Sequence, residues 1–236
     1  MITAQDIENN TMFIGDTDIA DYGALVESFK VGAVEVENSI YQGVNRTNFN
    51  ALKTVRKMRP IAVNIFYQAE TRRELSIIKS TLDALMDGKV ELFLPDGFFY
   101  SSYLLSAGEE QIIGVENNKV IAICAYTFNG IRHDALETIE VESGEDMTCK
   151  STVPYTDCRL TCTASQAYPV LNVDGVTINN VAANDVITVD GILGRILQNG
   201  APCAGNMTFR HFPSLVPGVN TITCPETLTV EYYPTY

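Results

Sequence analysis

Tryptophan is absent from this 236-residue chain, and histidine occurs only as His133 and His211. Two isolated histidines exclude a histidine-pair metal site, and neither belongs to a nucleophile pattern such as G-x-S-x-G. No G-x-G-x-x-G or P-loop run is there to cradle a phosphate. No apolar run reaches the ~18 residues of a membrane helix, and MITAQDIENN at the start lacks the basic-then-apolar pattern of a secretion signal. Basic side chains are scarce as well, 16 against 29 acidic for a net charge of −13, so most of the surface repels nucleic acid. The expectation is a chain without a catalytic residue, resident metal or cofactor, and without membrane insertion.

What is present describes a globular protein with a real core, since 46% of residues are hydrophobic and 19% charged. Of six cysteines only Cys124 lies in the first half; Cys149, Cys158, Cys162, Cys203 and Cys224 follow. CRLTC sits in an expected strand, where a spacing of four aims Cys158 and Cys162 to one face, and no second close pair exists to complete a zinc site. Buried thiols, or one or two disulfides, both remain open. Asp16, Asp18 and Asp21, and Glu140, Glu142, Glu145 and Asp146, lack the spacing of a calcium loop and read as solvated turns.

The pattern along the chain predicts a mainly β protein of two domains, 1–135 and 136–236. In the first, TMFIG and ALVESFKVG read as strands joined by DTDIADYG. Residues of about 31–59 read as a long β-hairpin arm. PIAVNIFYQ (60–68) is a strand that Pro60 can open. A helix is expected over about 71–87, with Thr71 and Glu74 as a capping box, Leu75, Ile78, Leu82 and Leu85 on one face, and Gly88 as its stop. Strands follow at 89–94, 98–106 and 118–131, with PDG and GEE as turns. The acidic stretch 132–150 reads as the end of the first domain. Beyond it, RLTCTAS, PVLNVDG, VTINNVA, DVITVDG, GRILQNG, MTFRH, NTITC and LTVEYY are separated by regular turn signals, the rhythm of an antiparallel β-sandwich. Asp174–Gly175 and Asp190–Gly191 mark hairpin turns.

Two segments stand out as candidate sites. Residues 46–59, RTNFNALKTVRKMR, carry Arg46, Lys53, Arg56, Lys57 and Arg59 with no acid; they form either a solvated face or a surface that docks on an acidic neighbouring subunit. In FPSLVPGVNTI (212–222), Pro217 suits position i+1 of a tight turn, Gly218 tolerates positive φ and Asn220 can bond its own backbone. That predicts a rigid corner with Leu215 and Val219 tucked toward a core. Tyr155, Tyr168, Tyr232, Tyr233 and Tyr236 offer faces on which a sugar ring can stack, so a carbohydrate-binding sandwich for host adsorption is the alternative function. A hydrolase with an unrecognised site is a third.

The strand ITVDG (187–191), the corner Phe212, Pro213, Leu215, Pro217, Gly218 and Asn220, and the final VEYYP (230–234) together resemble the distal tail proteins of phages with long non-contractile tails, in a short form with no inserted carbohydrate-binding module. The first half is similar in layout. The resemblance implies a ring-forming first domain, with the arm as a belt bearing on the ring, and a galectin-like second domain. It also implies a homohexameric ring at the distal end of the tail in the virion, assembled in the host cytoplasm, with DNA passing through the channel. Implied partners are the tail tube protein, a tail-associated hub protein, the tape measure and receptor-binding proteins.

Overall fold

From Ile61 to Ala69 every second residue is apolar, and in the computed structural model this alternation becomes the inner face of the longest ladder in the first half. The structure describes residues 11–42, 49–203 and 205–236, the side chains of 40–53 excepted. The chain divides into two compact units, Met1–Arg132 and His133–Tyr236. The first holds β1 (Phe13–Ile14), β2 (Thr17–Asp18), β3 (Ala24–Val31), β4 (Val36–Gln42), β5 (Phe49–Arg56), β6 (Arg59–Ala69), helix α1 (Arg72–Leu85), β7 (Lys89–Phe93), β8 (Phe99–Ala107), β9 (Gln111–Glu116) and β10 (Lys119–His133). Eight of these strands form one sheet in the order β2-β1-β7-β8-β10-β6-β3, with β9 also on β10. β4 and β5 form a separate antiparallel ribbon.

The ladder aligns Arg59–Ala69 antiparallel with Val120–Gly130. Ile61, Val63, Ile65 and Tyr67 of β6 thereby share one face with Ala122, Cys124, Tyr126 and Phe128 of β10, all buried in one cluster. Helix α1 covers that cluster with Leu75 and Leu82, both fully buried, and Ile78 and Leu85 pack at its margin. Its start is fixed locally: Thr71 Oγ1 accepts from Glu74 N at 3.2 Å, and Glu74 Oε2 accepts from Thr71 N at 3.2 Å, the reciprocal capping expected. Tyr126 donates to Asp83 of the helix at 2.9 Å, and Lys79 pairs with the same carboxylate at 2.7 Å. Helix and sheet are thus joined by a polar bond beside the apolar contact.

Three elements differ from the sequence reading. The DTDIADYG segment is a short strand and a 3-10 turn, Ile19–Tyr22, because Asp18 accepts from Ala20 N at 2.8 Å and Gly23, at φ 68°, stops the turn. QIIGVE, expected to follow a turn, is strand β9, closed onto β10 through Asn117 and Asn118 at φ 48° and 63°. Two positive-φ asparagines make the tight turn that suits a twisted hairpin. The acidic stretch 132–150, expected to end the first domain, supplies two strands of the second unit.

Those two strands are β11 (Glu137–Val141) and β12 (Asp146–Cys149). They are followed by β13 (Thr156–Thr163), β14 (Tyr168–Val173), β15 (Val176–Val181), β16 (Val186–Asp190), β17 (Arg195–Gln198), β18 (Ala201–Pro202), β19 (Met207–Thr208), β20 (Ser214–Leu215), β21 (Gly218–Thr221) and β22 (Leu228–Tyr232). A seven-stranded sheet runs β11-β22-β13-β16-β17-β18 with β20 on β13, and two smaller sheets are β14-β15-β19 and β12-β21. Cys158, Leu160 and Cys162 of β13 meet Leu171, Val173, Val176 and Ile178 of the β14–β15 hairpin in one core, so the sheets bury their inner faces against each other as in a sandwich. Asp174–Gly175 is the two-residue turn expected, at φ 49° and 81°. Asp190–Gly191 is not. Asp190 still pairs with Arg195 across the ladder, so the turn is Gly191–Gly194, and Asp190 itself is fully buried.

Replacing Leu82 by Ala should destabilise the first unit by about 2–5 kcal/mol, the usual cost of emptying a closed core site. The transition of that unit in a urea titration checks this, with the second unit's transition unmoved.

Candidate assembly surfaces

In the ribbon, Val36–Gln42 lies against Phe49–Arg56 with a register shift between Ser39 and Ile40. Among the described residues these strands pair with each other alone. Their outer edges therefore carry backbone groups that water or another chain must satisfy. Of the five basic residues, Arg46 lies outside the described residues and the side chain of Lys53 does as well. Arg56 is exposed. Lys57 is exposed too, but it bonds Glu35 at 3.1 Å and Glu37 at 3.4 Å. The hydrogen bond and charge of Glu35, then those of Glu37, hold its ammonium above the ordinary lysine range. Arg59 opens β6, half-buried, with Nη1 3.5 Å from Gly32 O. Burial, with Arg132 near it, holds its guanidinium below the ordinary value. The structure thus separates the five: Lys57 is neutralised within its own hairpin, Arg59 is built into the sheet, and Arg56 faces outward. A groove of about 500 Å³ at the ribbon's base is lined by Glu35, Arg56, Met58, Pro60, Tyr103 and Asn129.

Strand β9 is a second surface, which the sequence reading missed. Ile112, Ile113 and Val115 are 42%, 56% and 71% exposed. Glu109 and Glu116 flank them, both exposed, and Glu110 accepts from Tyr67 at 3.3 Å. The signal was the pair Asn117–Asn118 between two apolar runs, hidden because Gly108 to Glu110 interrupt the run from β8 into β9.

Gly218 has φ 87°, the value required after Pro217. Asn220 donates to Val216 O at 2.8 Å and Gly218 O at 2.9 Å, and accepts from Val216 N at 2.8 Å. Leu215 and Pro213 are buried and Phe212 packs against the core. Val219 does not tuck in; it is 64% exposed, because among the described residues its strand pairs with β12 alone and turns Ile222 inward instead. The corner also meets the DG element. A Cβ on Gly191 would lie 2.6 Å from Pro213 O and 2.8 Å from Cys158 O, so only glycine lets the two segments approach. Beside it, buried Asp190 pairs with Arg159 and Arg195, each at 3.2 Å, and accepts from Leu193 N at 3.0 Å. Its charge is compensated, which is what makes its burial tolerable.

The five tyrosines form no common platform. Tyr232 is fully buried, donating to Glu137 at 2.7 Å; Tyr168 donates to Glu226 at 2.7 Å, Tyr236 to Asp134 at 2.6 Å, and Tyr233 stacks edge-on with His133. Only Tyr155, 73% exposed, stands open. All six cysteines are free and buried. Burial pushes the Cys158 thiol up to about 12, and the Cys124 and Cys203 thiols upward too. Cys162 is raised by its hydrogen bond with Cys224 and by burial. His211 is exposed, its Nδ1 3.2 Å from Phe212 O. Among the described residues no three His, Cys, Asp or Glu side chains gather to hold a metal, and no helix is long and apolar enough to cross a membrane.

No family model and no curated protein matches the sequence. Solved structures do. The chain is similar to the Dit protein (gp 19.1) of SPP1, described as a paradigm of the hub adsorption apparatus in phages that infect Gram-positive hosts, at 14% identity and a TM-score of 0.74 over 96% of this chain and 98% of that one. It is also similar to a chain of the phage P2 baseplate in its activated conformation with Ca, at 9% identity and 0.55 over 93% of each. The same baseplate with Sr matches at 9% and 0.53, over 94% and 97%. These likenesses establish the fold: over nearly its whole length the chain is folded like the SPP1 Dit protein.

Gly191→Ala should cost the second unit about 1–3 kcal/mol through overpacking against backbone, whereas Val219→Asp should leave its stability within about 0.5 kcal/mol, as at an ordinary surface site. Thermal melts of the two variants side by side check the contrast.

Proposed function

We propose that this chain is a structural hub of a phage tail tip, in which six copies close a ring that joins the distal end of the tail tube to the baseplate or receptor-binding proteins. The single observation that carries this reading is the fold shared end to end with the SPP1 hub protein. The ribbon adds physical support, because a separate pair of strands with open edges favours association and is satisfied by pairing between copies. The first unit, which carries the ribbon, closes the ring. Partners are the tube protein and a tail-associated hub protein, with the tape measure and the receptor-binding proteins as further contacts. The net charge of −13 suits a channel wall along which DNA slides without phosphate contacts. The protein acts within the virion tail by assembly and without catalysis.

Light scattering on the eluting protein tests the ring. The expected mass is six times 25.9 kDa, or twice that for stacked rings, and electron microscopy of particles labelled on this chain should place it at the far end of the tube. A single copy at every concentration would overturn the reading. Deleting residues 34–57 should leave a folded, soluble monomer; hexamers that persist would remove the ribbon from the ring seam.

A further inference from the structure

Five cysteines line the core of the second unit, and the path of the chain brings two of them together. Cys162 lies near the end of β13, on the inner face with Cys158 and Leu160, and pairs in register with Leu228 of β22. Just beyond it, Ser165 N and Ser165 Oγ each donate to Glu226 at 2.7 Å, and Tyr168 donates to the same carboxylate oxygen at 2.7 Å. Asp174 N donates to Thr223 O at 2.8 Å. These anchors hold the segment that carries Cys224 against the end of β13. The thiols of Cys162 and Cys224, both buried, hydrogen-bond to each other.

Other thiols are engaged with oxygen. Cys124, in the first unit, donates to Gly108 O at 3.2 Å, and Cys203 donates to Gln198 Oε1 at 3.7 Å. Cys224 also has a way out. With Ser143, Gly144, Asn172, Thr223 and Pro225 it lines an open groove of about 480 Å³, which reaches Cys224 and not Cys162. No charged side chain lines the groove, but exposed Glu142 and Glu145 flank Ser143–Gly144 along the chain. The hydrogen bond between the two thiols holds Cys224 below the ordinary cysteine range and raises Cys162. The thiolate is the attacking form, so the more readily ionised sulfur is the one on the groove side.

We infer that Cys162 and Cys224 form a dithiol site that takes an uncharged or cationic low-molecular-weight disulfide and closes to an internal bridge, with Cys224 attacking and Cys162 resolving. The Cys224 thiolate attacks one sulfur of the small disulfide. That S–S bond breaks, one half leaves as a thiolate, and a mixed disulfide forms on Cys224. Cys162 then gives up its proton and attacks the Cys224 sulfur, expelling the second half as a thiolate. The two protons from the protein pass to the leaving thiolates, so two protein thiols are oxidised and one small disulfide is reduced to two thiols. The carboxylates of Glu142, Glu145 and Glu226 repel an anionic disulfide. A reducing cytoplasm keeps the pair as thiols, and an oxidising exterior favours the bridge, which ties residue 162 to residue 224 and constrains the unfolded chain between them. The site is independent of the ring reading, because it lies within one copy of the second unit.

The test exposes the native full-length chain to cystamine, which is cationic, quenches with acid, blocks remaining thiols with N-ethylmaleimide in urea and maps the peptides by mass spectrometry. The expected product has lost two hydrogens and carries a Cys162–Cys224 bridge, with the other cysteines alkylated. Its second unit should unfold at a higher urea concentration than in the reduced chain, and dithiothreitol should reverse the shift. Cys162→Ala should stop at a cysteamine adduct on Cys224, and Cys224→Ala should take up none on Cys162. Oxidised glutathione, an anion, should react more slowly than cystamine at low salt. A bridge between any other pair, or Cys162 and Cys224 both still alkylated, overturns the site, and these readings on the parent chain decide even where a variant does not fold. An adduct on Cys162 in Cys224→Ala overturns the assignment of roles, and glutathione reacting as fast as cystamine overturns the charge preference. None of these readouts requires assembly, so they stand whether the parent chain is a ring or a single copy.

Discussion

A β-strand satisfies its backbone only through a neighbour, and the first unit leaves two strand pairs with an open side. The ribbon of Val36–Gln42 and Phe49–Arg56 pairs with itself, and Gln111–Glu116 pairs with the end of β10. The large sheet also ends on β2 and β3, whose outer edges are open among the described residues. The ladder between β6 and β10 buries alternate side chains on one face, and α1 seals that face with Leu75 and Leu82. The apolar side chains on β9 do not join this cluster and are left exposed, with acids at either end.

The second unit is held by a different balance. Its core is apolar and lined with cysteines, and next to the core sits a charge. Asp190 is fully buried at the end of β16, tied to Arg159 from β13 and Arg195 from β17, with Arg159 also reaching Glu231 of β22 at 3.2 Å. Four strands of one sheet are therefore pinned in register by one ionic cluster. Truncating a partner of such a cluster leaves a charge without compensation, which is costlier than never having buried it. The neighbouring Gly191 lets the Phe212–Pro213 segment press directly on the backbone of β13. The DG strand and the proline corner, Gly191 and Pro213 being twenty-two residues apart in sequence, are thus two sides of one contact.

How much of this was legible depends on distance along the chain. Helix α1 was readable because its cap, its face and its stop all lie within eighteen residues, Thr71 to Gly88. Strand β6 was readable from period-two alternation, and the corner from the conformational demands of Pro217, Gly218 and Asn220. Strand β9 was not, since Gly114 breaks its alternation and its identity is fixed by β10 across the turn. Nor was the role of Asp190: D-G reads locally as a hairpin, and the arginines that hold the aspartate inside the sheet come from other strands. Lys57 shows the same limit. Counted along the sequence it belongs to an acid-free basic run, while across the ribbon it faces Glu35 and Glu37. Exposure of Val219 follows from its pairing with β12, a strand lying in a stretch too acidic to suggest one.

In the proposed ring, open edges in one copy are completed by strands of the next. Backbone amide exchange reads this directly, since a strand amide is protected only while its hydrogen bond is made. Compared between the assembled chain and the same chain diluted to single copies, the outward-pointing amides of the ribbon strands Val36–Gln42 and Phe49–Arg56 should exchange far more slowly in the assembly, with the β6–β10 ladder equally protected in both. Equal exchange of those ribbon amides in the two forms would contradict the account.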